Sequence, residues 1–215
     1  MGSTYQEMEQ TDIKARLYID APLAEGAVIT LPSDQMHYLL HVLRLNLGAV
    51  IGVFNGVDGE FNASITAVAK KQCSITIADQ RRQQIFCRDL WLLFAPVKKA
   101  RLDFIAQKAS ELGVRVIWPV KTDYCQISRV NDDRLAANAI EAAEQTERLD
   151  IAEIRSFDAL HDILAACEDD RLLIWFDEAS AGHPDLNITA ALATAPPPDQ
   201  ATILIGPGGR FSPAE

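Results

Sequence analysis

Hydrophobic positions change their rhythm near residue 85, and the change splits the sequence into two kinds of fold. In the first part the apolar residues come in short runs. Residues 16–19, 27–31 and 49–54 read as strands, the last leading into Asn55-Gly56-Val57-Asp58-Gly59, a strong turn signal. Residues 60–68 alternate, with Phe61, Ala63, Ile65 and Ala67 on one face, and residues 73–78 repeat the pattern through Cys73, Ile75 and Ile77. One helix interrupts them. Ser33 suits its N-cap, Met36, Leu39, Leu40 and Leu43 fall at helical spacing, and Gly48 ends the segment. Short strands with a single helix predict a small β-barrel. The polar run Asp79-Gln80-Arg81-Arg82-Gln83-Gln84 reads as the linker after it.

Beyond the linker, continuous apolar runs alternate with helical patterns. Residues 90–97 and 114–120 read as buried strands flanking a helix over 101–112, whose Leu102, Ile105, Ala106, Ala109 and Leu112 share a face. Asn131 is the expected cap of a long helix over 132–148, and Ser156 that of a helix over 157–167. Residues 153–155 are a brief extended segment, and 172–176 and 202–205 are further buried strands, the last preceded by the rigid Pro196-Pro197-Pro198. This order predicts a parallel α/β sheet. The expected division is a disordered lead-in over 1–15, a small β-barrel over 16–84 and an α/β domain over 88–215.

Composition narrows the class. With 48% hydrophobic residues the chain can build a core, and no apolar run approaches the roughly 20 residues of a membrane span. Residues 1–11 lack the basic and apolar regions of a secretory signal. Cys73, Cys87, Cys125 and Cys167 lie far apart, which argues for free thiols in a reducing cytoplasm and against a zinc site. The net charge of −10 is uneven. Residues 131–185 carry fifteen acidic and four basic residues, net −11, whereas 88–129 carry eight basic and four acidic, net +4. A basic stretch therefore remains for an anionic partner. His37 and His41 stand at i, i+4 but lack a third ligand, so no metal is expected. Trp91, Trp118 and Trp175 sit in apolar strands and are expected in the core.

The chemistry is concentrated at the end of the chain. An apolar strand runs into Gly206-Pro207-Gly208-Gly209, and Ser212, Pro213 and Glu215 then have the types and spacing of a capping box. A strand, a glycine turn and a helix start form a cradle of backbone N–H groups for a ligand. It lacks the residues of a P-loop and the spacing of a dinucleotide site. In a parallel sheet ligands bind beyond the carboxyl ends of the strands, so Phe176, Asp177 and Glu178 are placed on the facing wall. The sequence stops inside the expected first helical turn, and a further C-terminal piece is expected.

Six ordered segments together resemble a known family. Leu204-Ile205-Gly206-Pro207, Gly209, Phe211-Ser212 and Glu215 resemble the "IGPEGGFS..E" signature of RsmE-type ribosomal RNA methyltransferases of the SPOUT (trefoil-knot) superfamily. Arg16-Leu17-Tyr18 resembles the family's opening "R.F", and His37 to Arg44 with Gly48 its "HhL..VLR...G". Phe54-Asn55-Gly56 is similar to "FdG", Gln107 to Val114 to "QKa.ELGV", and Glu141-Ala142, Glu144-Gln145 and Arg148 to "EA.EQ..R". The likeness covers nearly the whole chain. It departs at Gly208, where the family has Glu, at Arg210, where it has Gly, and near Ala152, where it has Pro. The family's closing "LG.rILR.ETA" would follow Glu215.

The resemblance implies a PUA-like RNA-binding barrel followed by a knotted, homodimeric methyltransferase domain. It also implies S-adenosylmethionine as methyl donor and methylation of N3 of one uridine in 16S ribosomal RNA, free or in the assembled small subunit. Donor binding is then expected at Phe176, Asp177, Glu178, Ile205, Gly206, Pro207, Gly208 and Gly209. RNA contacts are expected from Arg16, His37, Arg44, Lys98, Lys99 and Arg101, and a dimer interface or pocket at Glu144, Gln145 and Arg148, the last paired with Glu144 or facing phosphate. No residue is singled out as catalytic base. Ribose 2′-O-methylation of ribosomal or transfer RNA, and RNA binding without catalysis, remain as alternatives.

Overall fold

The computed structural model describes residues 13–97, 99–167, 171–176, 188–193, 199–206 and 211–212. The chain divides into two compact units, Met1–Ile85 and Phe86–Glu215.

The first unit is a five-stranded mixed sheet. Its strands are β1 (Arg16–Tyr18), β2 (Val28–Thr30), β3 (Val50–Phe54), β4 (Glu60–Ala69) and β5 (Gln72–Arg82), in the order β1-β3-β4-β5-β2. β1 runs parallel to β3, and the other neighbours are antiparallel. Side-chain alternation buries Phe61, Ala63 and Ile65 on β4 and Cys73, Ile75 and Ile77 on β5 against Leu17, Leu39 and Ile51. Ala67, expected on that buried face, is exposed because a register shift between Ile65 and Ala67 resets the alternation.

Two expectations need correction in this unit. The polar run after residue 78 is a continuation of β5 as far as Arg82, not a linker, and Arg82 pairs in register with Glu60. Its polarity has a use: Glu60, 1% exposed, accepts from Arg16, Arg81 and Arg82. Ser33 does not cap the helix. Pro32 is the capping position of α1 (Ser33–His37), which continues as a π-helical turn over Tyr38–Val42. The tight turn at Gly59 needs glycine, since φ is +91° and a Cβ there would fall on the Arg82 carbonyl oxygen.

In the second unit a parallel sheet has the order β10-β11-β6-β7-β8. The strands are β6 (Asp89–Phe94), β7 (Val116–Lys121), β8 (Glu153–Ile154), β10 (Leu172–Phe176) and β11 (Gln200–Ile205), and β9 (Asp158–Ala159) extends β7. Helices α2 (Lys99–Glu111) and α3 (Asp132–Gln145) pack through Leu102, Ala106, Leu135 and Ala139 on Leu92, Phe94 and Ile117. Leu93, Val120 and Leu204 belong to a separate cluster with Leu160 and Ile163 of α4 (Leu160–Ala165). α5 (Ile188–Ala193), absent from the sequence reading, lies between β10 and β11 in the chain.

Local signals explain the helix boundaries. Asn131 caps α3 as expected, its Oδ1 accepting from the Arg134 N–H at 3.0 Å. The helix ends at Gln145 rather than 148, and Glu147 takes a left-handed φ of 59°. Ser156 does not cap α4; its hydroxyl donates to Asp132, and the helix starts at Leu160. Among the described residues no helix is long and apolar enough to cross a membrane. None of the four cysteines is in a disulfide.

Candidate active site

Strand order puts a topological switch point beside the end of β11. From β6 the chain moves through β7 to β8 on one side of the sheet, while β10 and β11 occupy the other side. The order therefore reverses between β6 and β11, and such a switch point opens a ligand crevice beyond the carboxyl ends of the strands. At that end Phe176, Ile205 and Phe94 lie in one row across three strands. The Ala95 N–H donates to the Ile205 carbonyl at 2.9 Å, tying the two strands together at the reversal.

Gly206, the first residue past β11, meets an aromatic ring. A Cβ there would stand 2.5 Å from Phe211 Cε2, so only glycine lets the backbone pass that close to the ring. Phe211 in turn packs edge-on against Trp175, with ring centroids 5.3 Å apart at 80°. The Ser212 hydroxyl donates to Asp123 Oδ2 at 2.6 Å, which connects the segment after β11 to the loop after β7. Phe176 and Ile205 keep 45% and 44% of their surface exposed beside this turn. Apolar side chains left open next to a tightly approached glycine fit a flat heteroaromatic ligand such as adenosine. Asp177, Glu178, Pro207, Gly208 and Gly209, expected to complete this cradle, lie outside the described residues, as do Arg210 and the capping-box residues Pro213 and Glu215.

Trp175, expected in the core, is 49% exposed, because β10 is an edge strand. Trp91 and Trp118 are half-buried. The Arg155 guanidinium sits 4.3 Å and 4.6 Å from their rings, and Arg171 stacks on Trp91 at 3.9 Å. Arg171 also donates to Asp89 Oδ2 at 2.6 Å. Burial pushes the Asp89 carboxyl up, but hydrogen bonds from Arg171 and Trp91 and the nearby positive charge outweigh it and hold the group below its ordinary range.

The residues expected at an RNA face separate into two groups. His37, Arg44 and Arg101 are exposed. The His37 and His41 rings meet at a tilt of 37° with centroids 5.1 Å apart, next to the exposed Tyr38 and Val42. Arg44 adopts a left-handed φ of 56° just past the π-helical turn. Arg16 is a correction. Its side chain is 7% exposed, bonded to Glu60 and seated 3.7 Å over the Phe54 ring, so it cannot reach a phosphate. Lys98 lies outside the described residues, and Lys99 is placed only as the first residue of α2.

Arg148 faces inward rather than toward a phosphate. It is buried, and its Nε and Nη2 donate to the two oxygens of Asp150 at 2.7 Å and 3.2 Å. Nη1 donates to the carbonyls of Ser110 and Val114, 2.9 Å and 2.8 Å away. It is a tie between α2, the turn before β7 and the segment before β8, turned away from solvent. Burial alone would raise the Asp150 carboxyl; hydrogen bonds from Arg148 and the Cys87 N–H, with the Arg148 charge, lower it below the usual range. Glu144 is half-buried and Gln145 exposed at the end of α3.

Comparison with known proteins follows the same two-part division. A family model described as an RNA methyltransferase domain matches residues 86–215, and one described as an RNA methyltransferase PUA domain matches residues 31–78. The ribosomal RNA small subunit methyltransferase E of Rickettsia conorii is 34% identical over 199 residues, covering 92% of this chain and 79% of that protein. A protein of the same name from Bacillus subtilis is 22% identical over 205 residues, covering 90% and 78%. Among solved structures, a putative methyltransferase of Legionella pneumophila in complex with the bound cofactor SAM aligns with a TM-score of 0.77 at 28% identity, covering 93% of this chain and 82% of that one. A ribosomal RNA small subunit methyltransferase E from Neisseria gonorrhoeae bound to S-adenosyl methionine shares the fold, with a TM-score of 0.74 at 21% identity and the same coverage.

Proposed function

The chain belongs to the RNA methyltransferase family, and from that premise we propose that it methylates N3 of a uridine in the 16S RNA of the small ribosomal subunit. It joins a PUA-like domain to a SPOUT-type α/β methyltransferase fold. The observation that carries the reading is the switch point of the sheet, where Gly206 passes against Phe211 beside the open faces of Phe176 and Ile205.

S-adenosylmethionine, when bound, supplies an electrophilic methyl group. Phe176, Ile205 and Gly206 would hold its adenosine by apolar contact and backbone groups, with Asp177, Glu178, Pro207, Gly208 and Gly209 completing the cradle. The protein's work is then positioning, since an in-line displacement gains most from bringing donor and acceptor together. The acceptor N3 carries a proton at neutral pH, so the site must also favour its removal. His37, Arg44 and Arg101, with Lys98 and Lys99, would grip the RNA backbone. Glu144 and Gln145 would face a second copy of the chain or the pocket. The cytoplasm, where ribosomal subunits assemble, is the proposed location.

Two results test the assignment. Gly206→Ala forces Phe211 aside and is expected to weaken S-adenosylmethionine binding at least tenfold in a calorimetric titration; unchanged affinity would remove Gly206 from the donor site. Arg44→Ala is expected to weaken RNA binding and to reduce its logarithmic salt slope by about 0.7–0.9, the contribution of one phosphate contact. Fluorescence anisotropy at several salt concentrations measures both, and an unaltered slope would place Arg44 off the RNA face.

A further inference from the structure

A cavity of about 210 Å³ opens where β6 gives way to α2, lined by apolar Val97, Leu102, Ile127 and Leu135. Its Val97 wall belongs to the segment that follows β6. Val97 follows two residues after Ala95, whose N–H is bonded to Ile205 at the switch point. Its volume falls below the roughly 300–1,000 Å³ of pockets for drug-sized ligands, which suits a single pyrimidine ring better than a whole nucleotide.

Three charged residues line this cavity: Asp103, Arg129 and Arg134. Two of them are committed to each other. Arg134 donates from Nε and Nη2 to the two oxygens of Asp103 at 2.6 Å and 2.5 Å. Arg129 is exposed and makes no ion pair among the described residues. Apolar walls disfavour a phosphate, which would lose its hydration there. An apolar slot with one uncommitted guanidinium instead suits a flat ring able to carry negative charge along one edge.

We propose that this cavity receives the acceptor uracil, splayed from the RNA strand, with Arg129 set against its O2–N3–O4 edge. The assignment rests on reading the chain as a uridine-N3 methyltransferase. Enzymes that act on a base take it out of the stack and read its pairing edge inside a pocket. Transfer of the N3 proton to a solvent hydroxide gives water and a uracil anion whose charge is shared by O2, N3 and O4. A guanidinium at that edge favours the anion and so raises the fraction of acceptor ready for attack.

A photo-crosslink reads the pocket without any methyl donor. An oligouridylate dodecamer carrying one 4-thiouridine, irradiated with the full chain, is expected to attach within residues 97–103 or 127–135. Ile127→Trp, which fills the cavity from a loop, is expected to cut that crosslink at least tenfold while S-adenosylmethionine affinity stays at the wild-type value. Attachment confined to the Tyr38–Arg44 surface, or an undiminished crosslink in Ile127→Trp, would overturn the pocket. Arg129→Met, an exposed position, is expected to lower kcat about tenfold and move the rising limb of the pH–rate profile to higher pH. A wild-type profile would overturn the role of Arg129. Wild-type methylation in both variants would sink this proposal and leave the methyltransferase reading standing, whereas failure of the unaltered chain to bind the donor would count against that reading instead.

Discussion

Arg148→Ala is expected to lower the unfolding free energy of the Phe86–Glu215 unit by about 3–5 kcal/mol, the usual effect of removing one partner from a buried ion pair. The arginine side chain is 5% exposed and that of Asp150 7%, so neither can exchange its partner for bulk water. Deletion leaves Asp150 as an uncompensated buried carboxylate and removes one donor each from the Ser110 and Val114 carbonyls. Arg148→Met combined with Asp150→Leu should recover much of the loss, because burial of a pair is itself expensive. Urea unfolding checks both. A single variant within about 0.5 kcal/mol of the unaltered protein would show that the pair is dispensable.

The same pair gives stability a pH dependence of known sign. The folded Asp150 carboxyl titrates below its ordinary value, as does Asp89 beside Arg171. The unfolded chain therefore binds protons first as pH falls. The stabilisation is complete above the ordinary carboxylate value near pH 4 and is lost as pH drops through the lower folded values. Urea midpoints should fall steadily below pH 4, and a midpoint that held or rose there would contradict the assignment.

Glu60→Ala is expected to have a comparable effect on the first unit, about 3 kcal/mol. Glu60 is 1% exposed and gathers Arg16, Arg81 and Arg82 from two other strands. Without the carboxylate, three guanidinium groups repel one another, and Arg16 stays buried over Phe54. Gly52 fits this arrangement closely, since a Cβ there would approach Glu60 Oε1 to 2.9 Å. Glu60→Gln keeps the shape and one acceptor and should lose less. Equal losses in the two variants would mean that packing, not charge, makes Glu60 matter.

What the sequence revealed follows the range of each interaction. β6, β10 and β11 were legible because each is a short apolar run, although β10 as an edge strand leaves several of its side chains open, and Asn131 because a cap acts within three residues. Charges were harder. Arg16 looks like any cation suited to phosphate, and its partner Glu60 lies 44 residues away. Residues 79–82 read as a linker because polarity usually means solvent, whereas here Arg81 and Arg82 face a buried carboxylate. Arg148 has the spacing of a helical pair with Glu144, but α3 ends at Gln145 and its guanidinium reaches Asp150 and the Ser110 and Val114 carbonyls, which no local spacing announces. The glycine turn was conspicuous locally. The cavity beside Val97 was not, because it draws on three separate stretches of chain and leaves no local pattern.

The central claim is tested most directly by following the methyl group. The full chain, incubated with methyl-labelled S-adenosylmethionine and either naked 16S RNA or isolated small subunits, is followed by digestion of the RNA to nucleosides. Label in 3-methyluridine from one site is the predicted result. Label in a 2′-O-methylnucleoside, or none in RNA from either substrate, would contradict it.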